Sequence, residues 1–133
     1  RLQFLRELVD TLGLTGVALI HARAEDAGRR PDQREKYQVA VSRAVARLNT
    51  LTELCLPFVA CGGYFVALKG AQYREEVREA EKAVRMLGGE VASVRPVRLP
   101  GLDDARAIVY IRKIGPTPAV YPRRPGLPEK KPL

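Results

Sequence analysis

Three polar points in this chain are placed where chemistry could occur. His21-Ala22-Arg23-Ala24-Glu25-Asp26 follows the apolar run Val17-Ala18-Leu19-Ile20, Arg43 follows Tyr37–Ser42, and Lys69 follows Tyr64-Phe65-Val66-Ala67-Leu68. In open parallel sheets, ligands settle outside the carboxyl ends of the strands. Three successive strand-like runs ending in polar residues therefore point to one shared anionic or nucleotide ligand. Taken singly, each is also what the first solvated position after a strand looks like.

Other constellations lack their partners. There is no G-x-x-x-x-G-K-[ST] loop and no G-x-G-x-x-G. Gly62-Gly63 and Gly88-Gly89 follow helix-like segments rather than open them, so they read as breaks, not phosphate cradles. Cys55 and Cys61 have no second pair and no His beside them, which favours core thiols over a zinc site. A single His, His21, leaves a Cys/His nucleophile unsupported and points away from a metal centre. Glu25 and Asp26 are adjacent carboxylates, but sequence neighbours need not face the same ligand.

The elements that must position these residues follow from periodicity. Phe4, Leu5, Leu8, Val9 and Leu12 recur at helical spacing, and Gly13 is a natural stop. Val17–Ile20 has the continuous apolar character of a strand buried on both faces. A second strand spans Tyr37–Ser42. Thr50-x-x-Glu53 has capping-box spacing and predicts a helix over roughly 49–60, with Pro57 in its last turn. Tyr64–Leu68 is a third buried strand. Tyr73 to Leu87 is a charged amphipathic helix, in which Glu81 and Arg85 form an i,i+4 pair. Glu90–Leu99 and Ala105–Lys113 close the pattern as an antiparallel hairpin. Strands alternating with helices predict an α/β fold with a largely parallel sheet.

Length and charge bound the rest. The 133 residues fit one domain, and 46% hydrophobic content supports a core. Nothing approaches the ~18 apolar residues of a membrane span. Charge interrupts the first residues too early for a secretion signal, and two cysteines suit a reducing, cytoplasmic compartment. The chain opens inside a helix with neither cap nor initiator Met, as a piece of a longer protein would. Of the net charge of +8, five units lie between Arg112 and Leu133, together with six of the ten prolines. That composition predicts an extended, semi-rigid basic tail over 114–133, serving either polyanion attraction or solubility.

Four blocks occur here in a recognisable order. They are His21–Asp26, Ser42-Arg43-Ala44-Val45-Ala46-Arg47-Leu48, Gly63–Gly70, and Pro116-Thr117-Pro118 to Tyr121-Pro122-Arg123. Together they resemble the RsmG family (formerly GidB), methyltransferases of 16S ribosomal RNA, over nearly the whole chain. The resemblance implies a class I, Rossmann-like fold using S-adenosyl-L-methionine to methylate a guanine N7 in the small subunit. It implies that Ala24 and Glu25 contact the cofactor's adenine end and that Arg43 is the cofactor-site arginine. Arg23, Lys69 and Arg106 match basic family positions near cofactor or RNA, and the tail's Arg123 and Arg124 are expected to bind RNA. No metal and no membrane enter this reading.

Against that family pattern, the amino-terminal part is missing: the first strand, the glycine-rich loop and the second strand. Residues 1–113 would be the carboxyl-terminal portion of the methyltransferase domain, and the 133 residues alone would not methylate RNA. The competing reading is a non-catalytic RNA-binding α/β module. Stacking of a base on Tyr64, Tyr73 or Tyr121 is compatible with either.

Overall fold

The computed structural model describes residues 2–43, 46–98, 100–101 and 105–133. Five helices, α1 (Leu2–Thr11), α2 (Ala24–Ala27), α3 (Leu48–Cys55), α4 (Tyr73–Met86) and α5 (Leu127–Lys130), accompany four strands. The strands are β1 (Tyr37–Ser42), β2 (Val59–Lys69), β3 (Gly89–Val97) and β4 (Arg106–Lys113), in the sheet order β1-β2-β4-β3. β1 and β2 run parallel, joined through α3 and a 3-10 turn at Leu56–Phe58. β4 runs antiparallel to both β2 and β3, so the expected closing hairpin forms with its second strand inserted beside β2. Among the described residues the sheet therefore has one parallel pairing, less than the largely parallel sheet the alternation suggested.

Helices α3 and α4 cover one face of this sheet. Leu48 and Leu51 from α3, Ala80, Ala83 and Val84 from α4, and Phe65, Val109 and Ile111 from the strands make the core. β2 shows why period two matters: Gly63, Phe65, Ala67 and Lys69 point into the helical layer, while Tyr64, Val66 and Leu68 point away. The segment expected to be buried on both faces is thus buried on one. Pro96 lies within β3 and is tolerated there because β3 is an edge strand, whose outer N–H groups need no ladder partner.

Three further sequence expectations fail for identifiable reasons. Val17–Ile20 forms no strand. Its neighbours in the sheet would have to come from other segments, and among the described residues none pairs with it, so Val17 and Ile20 are about 45% exposed. A strand is defined by its ladder, and apolar content alone does not supply one. The helix expected over 49–60 ends at Cys55, because Pro57 tightens the chain into the 3-10 turn and Val59 already pairs with Tyr37. Gly62-Gly63 does not break the chain but lies inside β2, where the register shifts against β1. A Cβ at Gly63 would collide with the Gln38 carbonyl, and that close approach explains the glycine.

The tail departs furthest from expectation. It is not a free arm. Proline-rich backbone carries carbonyls without matching N–H groups and cannot build its own ladder; here two guanidinium groups supply the donors. Arg34 donates to the carbonyls of Thr117, Pro118 and Tyr121 at 2.9, 3.0 and 2.6 Å, and Arg29 donates to Ala119, Val120 and Pro122 at 3.2, 3.2 and 2.6 Å. Glu35 accepts the Thr117 N–H, and the Thr117 hydroxyl donates to Leu87 O. Further along, Thr50 Oγ1 donates to Pro128 O, which seats α5 against α3.

Candidate functional site

At the carboxyl ends of β1 and β2 the sheet opens into a cleft of about 420 Å³. Arg43, Lys69 and Arg106 line it together with Leu68, Gly70, Val97 and Ile108. The topology explains the meeting. Arg43 is the residue after β1 and Lys69 ends the neighbouring parallel strand. Lys69 pairs across the sheet with Ala107, which places Arg106, the first residue of antiparallel β4, at the same end. Cations over an apolar floor suit a partly apolar ligand that carries an anionic group.

The three basic residues are not equivalent. Arg43 is exposed at the rim. Lys69 is only 8% exposed, and its Nζ donates to Ala46 O at 2.9 Å and lies 2.9 Å from Glu76 Oε1. Glu76, itself buried, also accepts the Leu48 N–H at 2.9 Å. One carboxylate from α4 thus caps the start of α3 and holds Lys69 against the connection that leads from Arg43 into α3. Arg47, in the same connection, forms an ion pair with Glu79 at 2.7 Å.

Ala24 and Glu25 do not line this cleft. Glu25 is buried at 6% exposure, and its Oε2 accepts the Gly126 N–H at 2.8 Å and an Arg23 N–H at 3.3 Å. Burial by itself would raise the Glu25 pKa, but the Gly126 N–H and Arg23 outweigh it and hold the carboxyl below its ordinary value. Arg23 is 62% exposed on its side chain. The carboxylate thus ties α2 to the segment entering α5.

Arg123 is similarly committed. Its guanidinium makes a two-pronged contact with Glu53, with the shortest bond 2.7 Å, and Glu53 also accepts the Arg123 backbone N–H at 2.8 Å. Glu53 is 1% exposed, so its charge is balanced by this residue of the tail. Arg124 is exposed and, with Arg29, Arg123 and Lys131, lines a shallow basic depression on the tail. Of the cysteines, Cys55 is packed against the core and burial pushes its thiol up to about 12, whereas Cys61 is exposed rather than a core thiol. Glu76 and Arg34 were not singled out from sequence, and Glu53 was read only as a capping-box residue, whereas Arg47 is the N-cap of α3 and Glu53 binds Arg123. For Glu76 a signal existed: with Tyr73, Val77, Ala80 and Val84 it falls on the inward stripe of α4, where a carboxylate needs a partner.

Comparisons with known proteins bear on the family and the fold. The profile of the family described as GidB, rRNA small subunit methyltransferase G, matches residues 1–104. The protein named ribosomal RNA small subunit methyltransferase G in Lactobacillus johnsonii is 51% identical over all 133 residues, and its namesake in Desulforamulus reducens is 47% identical over the same span. The chain spans 56% and 55% of the length of these two relatives. Among solved structures, M. jannaschii TYW2 in complex with AdoMet superimposes with a TM-score of 0.60 at 12% identity, covering 85% of this chain and 53% of that one. A T. thermophilus 16S rRNA N2 methyltransferase, RsmC, in complex with AdoMet and guanosine gives 0.50 at 14% identity, covering 85% of this chain and 28% of that one. The shared architecture is the class I, Rossmann-like fold, of which four strands lie among the described residues. No helix among the described residues is long and apolar enough to cross a membrane.

Proposed function

The chain belongs to the rRNA small subunit methyltransferase G family, and from that membership we propose that it forms the later half of an S-adenosyl-L-methionine-dependent enzyme methylating a guanine N7 of 16S rRNA. The observation that carries this reading is the shared cleft of Arg43, Lys69 and Arg106 where the parallel strands stop. The lining fits the cofactor: cations can meet a carboxylate, and Leu68, Val97 and Ile108 offer apolar wall to the remainder. No glycine-rich loop occurs within residues 1–133, so these residues account for part of such a site. When bound, the cofactor supplies an electrophilic methyl group on a sulfonium.

The roles divide by the state of each side chain. Arg43, exposed at the rim, is the residue we assign to the cofactor. Lys69, already held by Glu76 and Ala46 O, positions the connection that carries Arg43 rather than reaching RNA. Arg106 lies across the cleft from Arg43, on the far side of β2, and is the residue we assign to the RNA. The Glu25 carboxylate is taken by Gly126, so any contact of Ala24 and Glu25 with the adenine end runs through backbone groups. Arg23 and Arg124 remain exposed for RNA, while Arg123 serves the tail's attachment.

Guanine N7 is an accessible lone pair and attacks without prior loss of a proton. The protein's task is then to hold base and donor in line, and alignment alone can contribute ~7–11 kcal/mol to such a barrier. Among the described residues that line the cleft no paired acid and base occurs, which is consistent with that task. Methyl transfer from radiolabelled S-adenosyl-L-methionine to small ribosomal subunits tests the proposal. The longest protein the gene encodes should label 16S rRNA at a guanine N7, and the isolated 133 residues should not. Labelling of another atom, or none by the longest protein, would refute it.

A further inference from the structure

Beside the cleft lies a second depression, of about 370 Å³, lined by Tyr73, Arg74, Val77, Arg78, Val94 and Pro96. The two are contiguous in the chain at both walls. Gly70 lines the cleft and α4 begins three residues later, while Val97 lines the cleft and Pro96 lines the groove. We propose that this groove seats the sugar–phosphate backbone of the RNA strand whose base enters the cleft, with Arg74 and Arg78 as its phosphate contacts. The inference rests on the RNA methyltransferase reading above and extends it to a surface outside the cleft.

Spacing and charge support the assignment. Arg74 and Arg78 are four residues apart on α4, so they stand one above the other on one face, about 6 Å between successive turns. That separation is close to the distance between neighbouring phosphates on an extended strand. Both are exposed, and Arg74 is held over the Tyr73 ring, its guanidinium carbon 5.2 Å from the centroid. Of the nearby carboxylates, Glu76 is paired with Lys69 and Glu79 with Arg47, while Glu75 and Glu81 each lie three residues from Arg78 on the helix surface. Arg98, exposed just past the end of β3, extends the positive rim. The floor of Val77, Val94 and Pro96 offers the sugar an apolar seat without demanding hydrogen bonds.

The test uses the longest protein the gene encodes and 16S rRNA, with affinity measured from low to moderate salt. Arg74→Gln combined with Arg78→Gln should weaken binding at least tenfold and lower the slope of log affinity against log salt by about 1.4 to 1.8, two phosphate contacts' worth. Its S-adenosyl-L-methionine affinity should stay unchanged. Arg85→Gln combined with Arg112→Gln, which removes equal charge from the opposite ends of α4 and β4, should move affinity less than threefold. Equal losses in the two double variants, an unchanged slope, or loss of cofactor binding in the first would each overturn the groove assignment alone. If the unaltered protein bound neither RNA nor cofactor, the functional reading would fall with it.

Discussion

Lys69 Nζ lies 2.9 Å from Glu76 Oε1, and both side chains are buried at the end of the sheet where Arg43 emerges. Each partner makes a further bond: Ala46 O takes a second one from the lysine, and the Leu48 N–H gives one to the glutamate. Removing either partner leaves a buried charge without compensation, which costs about 3–5 kcal/mol. Lys69→Met should therefore destabilise by roughly that amount in urea unfolding, and adding Glu76→Leu should recover part of the loss. A Lys69→Met protein as stable as the unaltered one would show that the pair does not hold this connection.

Arg34 is the main clasp of the tail. Its guanidinium donates to four backbone carbonyls, those of Gly28, Thr117, Pro118 and Tyr121. Hydrogen bonds from a charged donor contribute about 1.5–3 kcal/mol each, but bonds from one group do not add. Arg34→Ala should cost about 2–3 kcal/mol in all and make the bond after Arg123 sensitive to trypsin. Limited proteolysis followed by mass spectrometry reads this directly. A tail that stays uncut in the variant would contradict the clasp.

The same attachment should loosen in acid. Burial favours the neutral forms of Glu25 and Glu35, but the Gly126 and Thr117 N–H groups, with Arg23 and Lys113, outweigh it and lower both pKa values. A carboxylate with a lowered folded pKa contributes its full stabilisation above its unfolded value, about 4.3. That contribution is lost as pH falls from there through the lower folded value. Hydrogen exchange of the Thr117 and Gly126 amides should therefore accelerate below about pH 4.3, relative to core amides. Glu25→Gln and Glu35→Gln should flatten the acid limb of stability. An acid limb identical in all three proteins would rule these carboxylates out as its source.

Much of the fold was legible because its strands and helices carry their own periodicity. β1, β3, β4 and α4 fall within one or two residues of their expected bounds, and Arg43 and Lys69 meet in one cleft as parallel strand ends should. What was not legible depended on contacts distant in sequence. Val17–Ile20 has strand composition but no ladder among the described residues. Arg123 and Glu25 looked available, because nothing local reveals that Glu53 and Gly126 lie opposite them, 70 and 101 residues away. The tail's prolines suggested an extended arm, yet they could not disclose α5, which carries Pro128 in its first turn, or that Arg29 and Arg34 would supply the missing donors. The expected hairpin turn between β3 and β4 includes residues 99 and 102–104, which lie outside those described.

The most direct measurement is calorimetric titration of S-adenosyl-L-methionine into the longest protein the gene encodes and into its Arg43→Ala variant, with thermal melting of both. Loss of one charged contact predicts affinity weakened about tenfold to hundredfold, some 1.5–3 kcal/mol, with melting temperatures within a degree or two of each other. Equal affinity in the two proteins, or no binding heat in either, would mean that the cleft at the ends of β1 and β2 does not hold the methyl donor.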